Sequence, residues 1–234
     1  MLDAQTLEAL KAKATDLRIS TIHEIAHLGN GHIGGAMSII EVLTYLYFHE
    51  MNIDPSNPAM EGRDRFVCSK GHAGPAVYAT LAEKGYFPKE WLMTLNQGGT
   101  NLPSHCDMLK TPGIDFTTGS LGQGASAAVG IALGQKIKGE SSYTYLMIGD
   151  GESQEGRSGK LQSLLQPRNL ATSLPLQTST ASNWTATQKI SSVWIISILV
   201  GLALTGMSRE LMVTTLSKLT MRFSAQRPPR TGQV

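Results

Sequence analysis

The sequence predicts an α/β protein with a doubly wound, mainly parallel sheet and helices on both faces, which becomes incomplete after residue 156. Apolar side chains recur every three or four residues from Leu7 to Leu28, the pattern of a helix that packs along one face. The run from Tyr143 to Ile148 is apolar and rich in β-formers, as in a parallel strand buried on both faces. Helices that alternate with such strands favour this architecture.

The other segments of the first 156 residues continue this alternation. The first helix should end at Gly29, and a second helix should follow a glycine-rich break and cover Met37 to Tyr47. We predict a short strand at Arg65 to Ser69 and a third helix at Val77 to Lys84. The long segment 97–115 is rich in Gly, Pro, Asn and Thr, so it is either a functional loop or a disordered one.

Composition divides the chain at Gly156. Up to that residue there are 11 basic and 17 acidic residues, all six histidines and both cysteines. From Arg157 to Val234 there are nine basic residues and a single acidic one, Glu210. We therefore assign residues 1–156 to one domain and interpret 157–234 as an unrelated, poorly ordered tail.

The tail offers no strong sign of a macromolecular partner. Its basic residues are spread thinly and lack interleaved aromatic side chains, so no nucleic acid is expected to bind. The apolar run from Val193 to Leu204 is shorter than the about 20 residues of a membrane span. We interpret it as an accidental apolar run without a selected packing partner, with a membrane anchor as the alternative.

The N-terminal segment and the cysteines indicate a reducing, cytoplasmic location. Met1 to Lys13 is charged and lacks the apolar core of a signal peptide. Cys68 and Cys106 form neither a disulfide framework nor a CxxC pair.

Asp150 lies one residue beyond the end of the predicted buried strand, between Gly149 and Gly151. Ligands of open α/β sheets bind at the carboxyl ends of strands, and glycines allow the backbone to approach a phosphate closely. A carboxylate is a hard oxygen ligand for Mg²⁺, which usually keeps phosphate oxygens as further ligands. These features predict a site for Mg²⁺ and a diphosphate, and the alternative is a plain Asp-Gly turn.

Three histidines, His32, His72 and His105, lie in glycine- or proline-rich breaks rather than on apolar helix faces. Histidines in loops suit substrate contact or proton transfer, and the alternative for each is a solvated or capping residue. His23 and His27 are spaced for metal binding on a helix. We interpret this pair as the edge of a packing helix.

Four sequence motifs stand out in the first part of the chain. The motifs are GHIGGAMS at 31–38, SKGHAG at 69–74, the stretch from PSHCDMLKTPGID into TTGSLGQG at 103–124, and GDGESQEG at 149–156. In order and spacing they resemble the diphosphate-binding half of transketolase, and especially the separately encoded N-terminal section of enzymes split into two chains. The resemblance covers about residues 1–156.

The resemblance implies a thiamine-diphosphate-binding fold and a transferase that depends on thiamine diphosphate and Mg²⁺. Such an enzyme moves a two-carbon ketol unit from a ketose phosphate to an aldose phosphate, as in the pentose phosphate pathway. The site residues follow from the matching motif positions. The resemblance assigns His72, Gly119, Ser120, Leu121, Gly149 and Gly151 to the cofactor, Asp150 to Mg²⁺ and the cofactor, His32 and His105 to the substrate and the reacting oxygen, and Glu155 to a carboxylate relay across the subunit interface.

The family also implies a partner chain. The glutamate that activates the aminopyrimidine lies in the other section, so this chain requires a separate C-terminal transketolase section, and a dimer of such pairs is expected. One alternative is another thiamine-diphosphate enzyme, such as 1-deoxyxylulose-5-phosphate synthase or dihydroxyacetone synthase. A second alternative is a non-catalytic remnant with an interaction or membrane-attached tail.

The resemblance stops abruptly after Gly156. The family continues with a Trp-Glu-Ala-Ala helix and an Asp-x-Asn whose Asn completes the metal shell, and neither is present here. With suitable codons, one base restored in codon 157 makes the segment from Arg157 to Ser163 spell Gln-Val-Trp-Glu-Ala-Ala-Val, and Gln177 to Thr180 then permit Asp-Phe-Asn. We therefore hypothesise that 157–234 is an out-of-frame translation and expect impaired activity.

Overall fold

The structure is a computed structural model that describes residues 2–149, 151–157, 160, 171–174 and 193–198. The long first helix, α1 (Ala4–Leu28), begins after Asp3, whose carboxylate accepts a hydrogen bond of 2.7 Å from the backbone N–H of Thr6. It ends at Gly29, which adopts the left-handed conformation with φ of 83°. The predicted end of this helix is therefore confirmed.

The predicted second helix is divided in the structure. A short helix, α2 (Ile33–Met37), occupies part of the predicted glycine-rich break, and the predicted helix itself consists of α3 (Ile40–Tyr45) continued by a π-helical turn (Leu46–Glu50). Between α2 and α3, the Ser38 hydroxyl donates a 3.0 Å hydrogen bond to the carbonyl of Gly35. A serine side chain that binds nearby backbone competes with helix continuation, which accounts for the break.

The sheet is parallel throughout its described strands. Its first two strands are β1 (Arg65–Cys68) and β2 (Thr144–Gly149), which pair in register from Arg65 opposite Thr144 to Cys68 opposite Met147. Helix α4 (Gly74–Lys84) follows β1, and helix α5 (Gln123–Ile137) precedes β2. Every residue of β2 is buried, as predicted from its continuous apolar sequence.

Helices cover both faces of this sheet. Phe66, Tyr145 and Met147 belong to a core cluster with residues of α1, α3 and α4. The strand residues that alternate with these, including Val67 and Leu146, pack instead against the alanines of α5. Because neighbouring strand residues point to opposite faces, this separation confirms the predicted α/β architecture.

Two further strands come from the segment interpreted as an unrelated tail. They are β3 (Ala171–Leu174) and β4 (Val193–Ile198), and the strand order is β1-β2-β4-β3. Strand β4 pairs with β2 along its whole length, so residues 193–198 of the apolar run have a backbone partner in the sheet. The accidental origin of the run stays a prediction. Its β-branched and aromatic composition suits a place beside a buried strand. Within the described ranges, no helix is long and apolar enough to cross a membrane.

Candidate functional site

The candidate site lies where the carboxyl ends of β1 and β2 meet. The loop before α5 is joined to the end of β1 by Thr118, whose hydroxyl donates a 2.7 Å hydrogen bond to the carbonyl of Cys68. The backbone N–H of the same residue donates a 3.0 Å hydrogen bond to the carbonyl of Cys106. Thr118 therefore fixes both the His105 loop and the Gly119–Leu121 segment beside β1.

Segment 97–115 forms an ordered loop without helix or strand. The Tyr78 hydroxyl donates a 2.8 Å hydrogen bond to the carbonyl of Pro103, and the Asn96 N–H donates a 2.8 Å hydrogen bond to the carbonyl of Leu102. Leu102 and Cys106 are buried in the main core. Of the two alternatives for this segment, the disordered one is therefore wrong, and its functional role stays a prediction.

The three loop histidines come together from three separate segments. His32 precedes α2, His72 lies in a 3₁₀ turn (Gly71–Ala73) after β1, and His105 lies in the long loop. The ring centroids of His32 and His72 are 5.3 Å apart, and those of His32 and His105 are 6.1 Å apart. One small ligand can therefore contact all three imidazoles.

Two of these imidazoles are held in the neutral form. Burial, followed by the positive charge of Lys70 and the neighbouring histidines, lowers the pKa of His72 to about 4. Burial and His32 lower the pKa of His105 as well. Neutral imidazoles at physiological pH can both donate and accept hydrogen bonds, as proton transfer requires.

Glycines allow the close contacts on which this arrangement depends. A Cβ atom at Gly35 would lie 2.7 Å from Cδ2 of His72, so a side chain there would push the imidazole away from α2. A Cβ atom at Gly71 would lie 2.7 Å from the carbonyl oxygen of Thr118. Both distances are shorter than real contacts, and the second involves backbone that cannot rotate aside.

Glu152 is a central residue that the sequence analysis does not single out. It lies in the 3₁₀ turn after β2 (Gly151–Gln154), and its side chain is buried. Its carboxylate accepts hydrogen bonds from the Ser69 hydroxyl, from the N–H of Gly122 at 2.7 Å and from the N–H of Gly149 at 3.1 Å. Local sequence offered no signal that distinguishes it from Glu155.

Lys70 is a second site residue that sequence reasoning missed. It is completely buried, and its ammonium donates a 3.0 Å hydrogen bond to the Ser38 hydroxyl. A Cβ atom at Gly149 would lie 3.8 Å from Cβ of Lys70, so this side chain passes the end of β2. A buried ammonium on a side chain that passes this end raises the local positive potential and favours an anionic ligand.

The other predicted site residues surround this centre. Gly119 lies against His105, because a Cβ atom there would be 3.6 Å from Cδ2 of the imidazole. Ser120, Leu121 and Glu155 are exposed. Glu155 lies close to the same segment, because a Cβ atom added at Gly122 would be 3.6 Å from the Cβ of Glu155. Gly151 opens the turn that carries Glu152.

The predicted metal ligand, Asp150, lies outside the described residues. Among the residues that are described, no group of three or more His, Cys, Asp or Glu side chains could hold a metal ion. His23 and His27 are exposed on α1, which agrees with their interpretation as the edge of a packing helix. Cys68 and Cys106 are both buried and free of disulfides.

Taken together, the fold and the site define an α/β protein with a candidate ligand site at the carboxyl ends of adjacent parallel strands. The family model described as "Transketolase, thiamine diphosphate binding domain" matches residues 10–176. This chain therefore belongs to that family, whose members act as transferases, and the family resemblance inferred from the four motifs is confirmed.

Individual relatives agree with this assignment. The chain is 60% identical over 148 residues to the "6-deoxy-6-sulfo-D-fructose transketolase subunit SqwG" of Clostridium sp. (strain MSTE9), covering 63% of this chain and 54% of that protein. It is 41% identical over 146 residues to an apulose-4-phosphate transketolase subunit of Actinobacillus succinogenes, covering 62% and 52%. The chain thus spans about half the length of these relatives.

A solved structure supports the same fold. A crystal structure of a transketolase mutant from Pichia stipitis superimposes with a TM-score of 0.64 at 32% sequence identity. The match covers 67% of this chain and 25% of that chain.

Proposed function

We propose that this chain is the N-terminal subunit of a split transketolase. With a C-terminal partner section it would transfer a two-carbon ketol group from a ketose phosphate to an aldose phosphate, using thiamine diphosphate and Mg²⁺. The observation that carries the proposal is the convergence of His32, His72 and His105 at the glycine-lined ends of β1 and β2.

The residues at these strand ends fit a diphosphate. Gly149 and Gly151 leave the backbone after β2 open to a phosphate, and the aliphatic part of the buried Lys70 side chain passes Gly149. His72 and the Gly119, Ser120 and Leu121 segment would contact the cofactor. Asp150 would bind Mg²⁺, because a carboxylate next to a diphosphate provides the oxygen ligands that this ion prefers.

The chain's own histidines would handle the protons of the reaction. When bound, the cofactor supplies an electron sink for the carbon–carbon bond that breaks, and the protein orients and polarises the substrate. Ser104 contacts Nδ1 of His105 at 3.1 Å, which leaves Nε2 for a substrate hydroxyl or the reacting oxygen. His32 would face the substrate from the opposite side, 6.1 Å from His105 between ring centroids.

The proposal also includes the assembly of this chain with its partner sections. The exposed side chain of Glu155 would join a carboxylate relay across the subunit interface, and two pairs of sections would form a dimer. The two free cysteines agree with a cytoplasmic location. The resemblance to split enzymes is supported by two relatives that are themselves named as transketolase subunits.

The test has two parts. Thiamine diphosphate is titrated into the full chain with and without Mg²⁺, and ketol transfer is then measured after a C-terminal section is added, with several acceptor aldehydes. Because residues 157–234 replace the rest of the family's sequence, we expect weakened but saturable, Mg²⁺-dependent binding, turnover only in the mixture, and impaired turnover even there. Absence of binding would instead support the non-catalytic remnant, and acceptors typical of another enzyme of this cofactor class would support that alternative.

A sulfonated ketose is a second candidate donor. The relative that is 60% identical to this chain is named for 6-deoxy-6-sulfo-D-fructose, whereas the 41% identical relative is named for apulose 4-phosphate. Comparison of kcat/KM for the sulfonated ketose and for ketose phosphates would separate the two donors.

A further inference from the structure

We propose that Glu152 is a positioning residue that holds the three segments around the diphosphate site in a fixed relation. This inference rests on the proposed function and adds a residue that the family resemblance does not assign. The side chain is only 2% exposed, so it cannot contact the substrate and must act through the groups that it binds.

Each hydrogen bond of the carboxylate reaches a different segment. Ser69 follows β1 and leads into Lys70 and His72, and its hydroxyl donates to Oε1 of Glu152. The N–H of Gly122 follows the Gly119–Leu121 segment and donates to the same oxygen at 2.7 Å. The third donor is the N–H of Gly149 at the end of β2, which is 3.1 Å from Oε2.

These three donors make a carboxylate the suitable side chain at this position. An ionised carboxylate has only acceptor sites and can receive several hydrogen bonds at once, whereas an amide must turn its own N–H groups toward one of the donors. The Ser69 hydroxyl in turn accepts a 3.1 Å hydrogen bond from the N–H of Ala125 in the first turn of α5. The network therefore also fixes the start of α5, where negative charge is favourable.

The consequence concerns the shape of the site rather than its chemistry. Without Glu152, the buried N–H groups of Gly122 and Gly149 would lose their acceptor, and the segments would move to find water or new partners. The diphosphate is expected to depend on both segments, because Gly119–Leu121 precedes Gly122 and Asp150 follows Gly149. Its affinity should therefore fall together with the protection of these two amides.

The experiment compares the full chain with Glu152→Gln, Glu152→Ala, Ser69→Ala and the double variant Ser69→Ala/Glu152→Ala. The matched control is Gln154→Ala, an exposed residue of the same 3₁₀ turn. Amide hydrogen exchange at Gly122 and Gly149 is measured by NMR without ligand, and Kd for thiamine diphosphate is measured with Mg²⁺ by calorimetry. Thermal unfolding of each variant shows whether it is folded.

We expect faster exchange at both amides in Glu152→Ala and at one or both in Glu152→Gln. Kd should rise about ten- to hundredfold when hydrogen bonds to this charged group are lost. Gln154→Ala should stay within about twofold of the unmodified chain, because this side chain is exposed. The effects of Ser69→Ala and Glu152→Ala should be less than additive, since both remove one shared contact.

Two results would overturn the proposal. One is unchanged exchange at Gly122 and Gly149 in folded Glu152→Gln. The other is altered exchange with an unaltered Kd, which would make the residue purely structural. If the unmodified chain binds no thiamine diphosphate, the proposed function of this chain fails, while the exchange measurements still decide whether Glu152 holds the segments together.

Discussion

Burial shifts the protonation of two side chains, His72 and Glu24, in opposite directions. Burial is the largest cause that lowers the pKa of His72, here to about 4. Glu24 on α1 is completely buried, and burial raises its pKa well above the ordinary value. Neither carboxylate oxygen of Glu24 has a hydrogen-bond partner among the residues that the structure describes. Both groups therefore lose charge on folding, and each makes stability depend on pH.

For His72, the folded chain should become less stable as the pH falls from about 6.5 to about 4. In this range the unfolded chain binds a proton that the folded chain excludes, so the free energy of unfolding falls with the pH. The substitution His72→Asn should make this decline shallower. Denaturant unfolding at several pH values measures the slope, with His23→Asn, an exposed histidine of α1, as the control. An unchanged slope in His72→Asn would contradict this account.

For Glu24, the free energy of unfolding changes with pH in the opposite direction. Its raised pKa means that the folded chain retains a proton which the unfolded chain releases, so its stabilising contribution is lost as the pH rises above 4.5. Glu24→Met should therefore increase the free energy of unfolding by about 1–3 kcal/mol at pH 8, because an unsatisfied polar group leaves the core. The gain should be smaller at pH 5.

The same unfolding experiments provide the controls for Glu24. Glu24→Gln removes the titration but keeps a polar group, so it should flatten the pH dependence with a smaller gain. Glu90→Gln changes an exposed glutamate in the same chemical way. An equal gain for Glu24→Met at both pH values would argue against ionisation as the cause.

At the scale of elements, helix α5 approaches the sheet through its first turn. A Cβ atom at Gly124 would lie 2.7 Å from Cα of Ser69, so the helix can contact the end of β1 only because a glycine stands there. Further along α5, Ala125, Ala128 and Ala132 pack against Val67 and other strand residues. Small side chains thus bring the start of α5 to the diphosphate site.

The glycines of α5 offer a matched pair of substitutions. Gly124→Ala should destabilise the chain by about 1–3 kcal/mol, because the added methyl group meets backbone that cannot move aside. Gly130→Ala should stabilise it by about 0.5–1 kcal/mol, since no atom lies within 4 Å of an added Cβ and alanine favours the helix. Urea unfolding of both variants measures the difference. Equal effects of the two substitutions would show that the close approach at Gly124 does not contribute to the stability of the chain.

At the scale of the whole molecule, the match to the family ends near the position where the composition of the chain changes. The family model ends at residue 176, and the chain spans about half of its split-subunit relatives. Strand β4 nevertheless pairs with β2. The division into a domain at 1–156 and an unrelated tail stays a prediction, as does the out-of-frame origin of 157–234.

That origin makes a testable prediction. The nucleotides around codon 157 should permit the family's sequence once one base is restored, and the restored gene should encode a chain that binds Mg²⁺ and thiamine diphosphate at least about tenfold more tightly, because a metal ligand returns. Sequencing and calorimetry measure the two parts. An intact reading frame shared by other chains with this same tail would contradict the hypothesis.

The sequence by itself determined the features that local pattern encodes. The period of apolar residues and the glycine at its end define α1 up to Gly29, and a continuous apolar run defines β2. The order of four motifs was enough to indicate the family. The apolar patterns and each single motif are readable because they depend on neighbours close along the chain, and the order of the motifs is itself a property of the sequence.

Only the tertiary structure decided which polar groups share the site. Glu152 binds Ser69, 83 residues away, and Gly122, 30 residues away, so no local pattern could reveal either contact. The burial of Lys70 and Glu24 depends equally on what packs over them. Protonation, hydrogen-bond satisfaction and the meeting of three histidines are properties of the folded surroundings, because only folding excludes water and brings distant segments together.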